Sequence, residues 1–142
     1  MILESLRVAT GVAVLSFTVS MPHAMNLAWA KQDRDARIKT SPQTAYPTLA
    51  SWFGIEGYCE VHFAIDEEGF PFGVEPACTR KVFCFEAKRA VAGASFYPKL
   101  VDGMPTVRTN VVYPMQYYFE DSDYDVELDR NNLEPCENKA VS

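Results

Sequence analysis

Between Tyr58 and Ile65 the chain alternates. Cys59, Val61, Phe63 and Ile65 fall on one side, and Tyr58, Glu60, His62 and Ala64 on the other. A period of two is that of a half-buried strand. Asp66-Glu67-Glu68-Gly69 follows with turn chemistry, and Gly69 is free to take a positive φ. The return segment places Phe72, Val74, Pro76 and Cys78 on one face. Pro76 has no N–H to donate, which predicts an unpaired or bulged side there. From Val82 to Ser95 the period becomes helical, with Phe83, Ala87, Ala90, Val91 and Ala94 on one stripe and Lys88 and Arg89 off it. Pro98 and Asp102-Gly103 mark a loop. A long alternating stretch from Thr106 to Phe119 then gathers Val107, Val111, Tyr113, Met115, Tyr117 and Phe119 on one face. Pro114 inside it argues for an edge strand or a bulge.

Upstream, Tyr46 to Ile55 begins with Pro47 and ends at glycine, the pattern of a short helix. Lys31 to Thr40 is charged without an apolar period and reads as part of a linker. The order helix, strand, strand, helix, strand predicts an α+β fold. It is a small two-layer domain: a three-stranded antiparallel sheet (β-β-α-β), one main helix packed on it, and a short helix before the hairpin.

The chain has 142 residues, enough for one ordinary domain, and its 48% hydrophobic content supports a real core. The formal net charge is −6. All of it resides in Glu120 to Ser142, which carries eight acidic and two basic residues. A balanced body with an acidic tail excludes nucleic acid as a partner, because that partner requires a basic face. The tail itself reads as flexible.

The N-terminus holds Arg7, an apolar run from Val8 to Val19, Pro22, and a small-x-small sequence at Ala28-Trp29-Ala30. Residues 1–30 therefore read as a signal peptide cleaved before Lys31, or as an uncleaved anchor through residues 8–30. Either reading exports the rest of the chain, and only the anchor gives it a membrane contact. In an oxidising compartment the even count of Cys59, Cys78, Cys84 and Cys136 favours disulfides, with three connectivities open. No metal site is expected, since there is no C-x-x-C and the two histidines are far apart. No Ser/His/Asp or Cys/His arrangement and no phosphate loop supports catalysis, and no cofactor is implied.

An ordered set of residues resembles the TonB C-terminal domain family. It comprises Tyr46-Pro47, Ala50, Gly54-Ile55-Glu56-Gly57, the hairpin with Gly69, and Phe83, Ala87, Ala90-Val91 and Phe96-Tyr97-Pro98. It continues through Gly103-Met104-Pro105-Thr106-Val107 and Val112-Tyr113-Pro114-Met115-Gln116-Tyr117. The resemblance covers residues 43–119, preceded by a linker over 31–42 and followed by the tail over 120–142. Where the family carries a tryptophan near the helix end this chain has Ala94, leaving Phe96 and Trp52 to supply aromatic bulk. Cys59 and Cys78 resemble a subgroup whose hairpin carries two cysteines.

The resemblance implies a non-catalytic periplasmic module of the Gram-negative envelope. It would capture an extended peptide of an envelope protein, such as an outer-membrane receptor, by strand addition to its last strand. The edge residues are then Val111, Val112, Tyr113, Pro114, Met115, Gln116, Tyr117 and Tyr118, with Gln43, Tyr46 and Pro47 carried over as partner contacts. The same edge would serve a homodimer. Alternatives are a membrane-anchored energy transducer and a disulfide-stabilised accessory subunit. The tether from Lys31 to Ala45 spans at most ~50 Å and holds one proline, short for a transducer.

If Cys59 opposes Cys78, Val61 opposes Pro76, His62 opposes Glu75 and Phe63 opposes Val74. A structural staple explains that pair, and a ~20-residue loop makes it worth ~3 kcal/mol. A Cys84–Cys136 bond would tie down the tail. His62 and Glu75 read as a solvated cross-strand pair, and Glu67-Glu68 as solvated turn carboxylates.

Overall fold

The computed structural model describes residues 32–137, so the leader expectations lie outside the described residues. The chain forms β1 (Arg37–Thr40), α1 (Thr48–Trp52), β2 (Gly57–Ile65) and β3 (Pro71–Cys78). A single 3-10 turn (Lys81–Phe83) leads into α2 (Cys84–Ala92), followed by β4 (Ser95–Tyr97), β5 (Lys99–Val101) and β6 (Met104–Thr106). The last elements are β7 (Arg108–Tyr117), α3 (Val126–Arg130) and β8 (Glu134–Pro135).

The main sheet is antiparallel in the order β7-β2-β3-β8. It contains the expected three strands, but the tail adds a fourth at the β3 side. Cys59, Val61, Phe63 and Ile65 point inward from β2 and are buried. They meet Phe83, Ala87, Ala90 and Val91 of the predicted helical stripe, which are also buried. Both periods therefore resolve into one core between sheet and helix.

The hairpin register agrees with alternation as far as Cys59↔Cys78, Val61↔Pro76 and His62↔Glu75, then shifts so that Ala64 faces Phe72. The extra residue on β3 falls next to Gly73, whose φ is +60. A bulge of this kind reverses which side chains face the core. Phe72, expected inward, is therefore exposed, while Val74 stays half-buried.

Three other expectations are corrected. The expected linker over 31–42 is no free linker in its described part: β1 pairs with β4, and Arg34 and Leu100 exchange both backbone hydrogen bonds at 3.0 and 2.7 Å. Trp52 supplies no core bulk, being 77% exposed, whereas Phe96 is buried against Phe63 with ring centroids 5.5 Å apart. The acidic tail is structured through Cys136. Asp125 caps α3 by accepting the Glu127 and Leu128 N–H groups, β8 pairs with the end of β3, and Cys136 bonds Cys84. In the chain-entropy picture that crosslink contributes about 4 kcal/mol, because it joins positions 52 residues apart.

Gly69 and Gly73 give a ranked stability test. A Cβ on Gly69 would lie 2.0 Å from the Phe96 carbonyl oxygen at a φ of +92, whereas Gly73 has open space around it. We expect Gly69→Ala to cost more than about 2 kcal/mol and Gly73→Ala about 1 kcal/mol, measured by urea unfolding. Equal costs would contradict the close approach of turn and β4.

Candidate strand-binding edge and its cleft

β2 has a neighbour on both sides, but β7 has one only, so β7 is an edge strand. Within it Val111 and Tyr113 are half-buried, and Met115 and Tyr117 are buried. Thr109, Asn110, Val112, Pro114 and Gln116 are exposed. Beyond the strand, Tyr118 is exposed, and the Phe119 N–H donates to Glu56 Oε1 at 2.7 Å. Among the described residues β7 pairs with β2 alone, so one row of its backbone groups faces away from the ladder. Such a row is a template for another extended chain.

Beside the first half of β7 lies a cleft of about 290 Å³. Asp35, Ala36 and Ile38, of β1 and the residues before it, form one wall. Arg108 and Val111 to Tyr113 of β7 form the other, and Phe63, Ile65 and Phe96 line it from the core. At one end Arg108 Nε donates to Asp35 Oδ1 at 2.8 Å. The Asp35 carboxyl is held below its usual range, first by the Ala36 N–H and then by Arg108. Both partners touch solvent, so the ion pair adds little stability and chiefly fixes the spacing of the two walls.

The other end of β7 closes on aromatics. The Tyr46 ring sits 5.9 Å from Tyr117, 6.0 Å from Phe83 and 5.0 Å from Phe119. Phe83 stacks on Tyr117 at 4.3 Å. The Tyr46 hydroxyl donates to the Ile55 carbonyl at 2.7 Å, which ties the segment before α1 to the chain after it. Burial raises the Tyr46 phenol, and raises Tyr117 to about 12.

The structure therefore brings Tyr46 to the end of β7. Pro47 precedes α1 half-buried, and Gln43 is exposed with its amide donating to the Ser41 carbonyl at 3.2 Å. Met115 and Tyr117 are core residues that offer a ligand only their backbone. The β1 wall and Arg108 escaped sequence reasoning. Their one local signal was Arg37-Ile38-Lys39, an apolar residue between two cations, too short to establish a period.

Cys59–Cys78 and Cys84–Cys136 are both formed, and no described cysteine is free. His62 and Glu75 face each other in register, and the His62 imidazole lies 4.0 Å from Glu60. No helix among the described residues is long and apolar enough to cross a membrane.

No family model matches the chain, and no curated protein does. Among solved structures it is similar to the C-terminal domain of TonB from Pseudomonas aeruginosa, determined by solution NMR. The TM-score is 0.52 at 24% identity, over 64% of this chain and 93% of that one. The likeness establishes a TonB C-terminal-domain-like fold.

The buried tyrosines set an alkaline limit on stability. In the unfolded chain a tyrosine ionises near 10, whereas Tyr117 holds its proton to about 12 and Tyr124 is raised further by burial and by Asp129. The stabilisation is complete below the unfolded value and is lost as pH rises through the folded one. We expect urea midpoints to be level below pH 10 and to fall steeply towards pH 12. Tyr117→Phe, which loses only a 3.8 Å contact to Met115 Sδ, should flatten that fall. An unchanged fall would show that Tyr117 ionises freely in the folded state.

Proposed function

We propose that this chain is a non-catalytic, exported module that captures an extended peptide of an envelope protein by adding it as a strand to β7. The observation that carries the reading is the open β7 edge standing over a cleft with apolar residues beneath it. An added strand would gain backbone hydrogen bonds from β7, and every second side chain would drop towards Phe63, Ile65 and Phe96. Val112, Pro114, Gln116 and Tyr118 would flank its outer face, with Tyr46 closing the far end. Pro114 suits an edge strand, where its missing N–H need not break the ladder.

The TonB-like fold supports this assignment. In this reading the compartment is the periplasm, the kind of partner is a receptor of TonB-dependent transport, residues 43–119 are the binding unit and residues 1–30 its leader. The structure weighs against an energy transducer. Because Arg34 is already bonded to Leu100, the tether after Ala30 shrinks to residues 31–33, a reach of ~11 Å. A domain held that closely reaches partners only beside the membrane that anchors it.

Two measurements test the reading. Adding a receptor-derived peptide to isotope-labelled protein should shift or broaden the NMR signals of residues 111–119. No change at millimolar peptide would remove the proposal. Ile38→Asp places a carboxylate on the half-exposed cleft wall and should weaken binding about tenfold, equivalent to about 1.4 kcal/mol, without unfolding the protein.

A further inference from the structure

The sulfurs of Cys78, Cys84 and Cys136 lie within 4.8 Å of one another, although they belong to two different disulfides. The bonds are therefore stacked, and they differ in access. Cys59 and Cys78 are buried, at 0% and 1% exposure, whereas Cys84 and Cys136 are only half-buried. The outer bond is the more accessible of the two.

The outer bond is also the covalent tether of the tail. β8 is two exposed residues, and α3 buries none. Other ties include the Cys136 N–H on the Pro76 carbonyl at 3.0 Å, an exposed Lys88–Glu137 ion pair, Arg130 over the Tyr58 ring, and half-buried Tyr124 against Thr79. The exposed ion pair among them adds little without a covalent link. Cys84 is the first residue of α2 and follows Arg80 and Lys81. A helix N-terminus favours negative charge.

We propose that this cluster is a thiol–disulfide exchange site whose substrate is a dithiol. One thiolate of the dithiol attacks the Cys84–Cys136 bond, and its second thiol resolves the mixed disulfide. The dithiol leaves oxidised to its disulfide, and Cys84 and Cys136 are each left as thiols. The Cys84 thiolate then attacks Cys78 Sγ. A Cys84–Cys78 bond forms, the Cys59–Cys78 bond breaks, and the electron pair leaves on Cys59, which takes up the proton lost by Cys84. The second step changes no oxidation state. Opening the outer bond undocks the tail from β3. That uncovers the Pro76–Cys78 backbone and removes the Glu134–Glu137 wall from the cleft of about 630 Å³ that the docked tail forms with His62 and Glu75.

The test uses the oxidised protein under native conditions, with graded dithiothreitol, an alkylating quench and peptide mapping. We expect a stage with two labels per chain, one on Cys136 and the other shared between Cys84 and Cys59. At that stage the Cys136 amide should lose its protection from hydrogen exchange, while the β2 amides keep theirs. Labelling of all four cysteines together would overturn the proposal. So would a second label confined to Cys84, or a Cys136 amide that stays protected after its thiol is labelled.

Discussion

Cys59 and Cys78 sit opposite one another with Cα atoms 4.1 Å apart, and the bond between them forbids the hairpin to slip. A slip of one residue would carry Val61 and Phe63 out of the core and His62 into it. Because β2 lies between β3 and β7, the register fixed on its β3 side governs which β2 residues face α2. It thereby sets where β7 must pair, Val61 opposite Tyr113 and Phe63 opposite Val111. The placement of Val111 and Tyr113 beside the cleft follows from a bond made on the far side of the sheet.

The two sides of the sheet are finished differently. On the β3 side the tail supplies a short strand and a disulfide, so part of that edge is covered. On the β7 side the N-terminal segment runs close by without joining the ladder. Its β1 strand pairs with β4 instead, and Tyr46 packs against the end of β7. The outcome is a slot bounded by side chains and floored by apolar surface. Exposed edges are hazards that folds usually blunt with charges, prolines or short strands. β7 carries Pro114 and Arg108 but is ten residues long, so the blunting is partial.

The strands, main helix and core face were legible because their signals are local. Alternation at Cys59 to Ile65 and the stripe from Phe83 to Ala94 each state a period that the core then honours. Phe72 was misread because one inserted residue beside Gly73 reverses the alternation, and Gly73 alone did not announce it. β1 was missed because its partner lies near residue 96, and four exposed residues carry no period of their own. The tail was missed for a similar reason. Its negative charge argues for solvation, and the contacts that hold it, the β8 pairing with β3 and the Cys84–Cys136 bond, are long-range. Tyr46 was carried to the site by resemblance, and the structure adds the physical link through Tyr117 and Phe119. Gln43 gained no such link.

The central claim is that β7 presents an unoccupied edge in the free protein. Residue-resolved amide hydrogen exchange across Val111–Tyr117, beyond the register shift at the start of β7, tests it most directly. The account predicts alternation: amides turned towards β2 exchange slowly, and those turned outward exchange at nearly the rate of open loops. Uniformly slow exchange along β7 in the isolated protein would mean that the edge is already paired, with a second copy or with another segment, and would contradict the account.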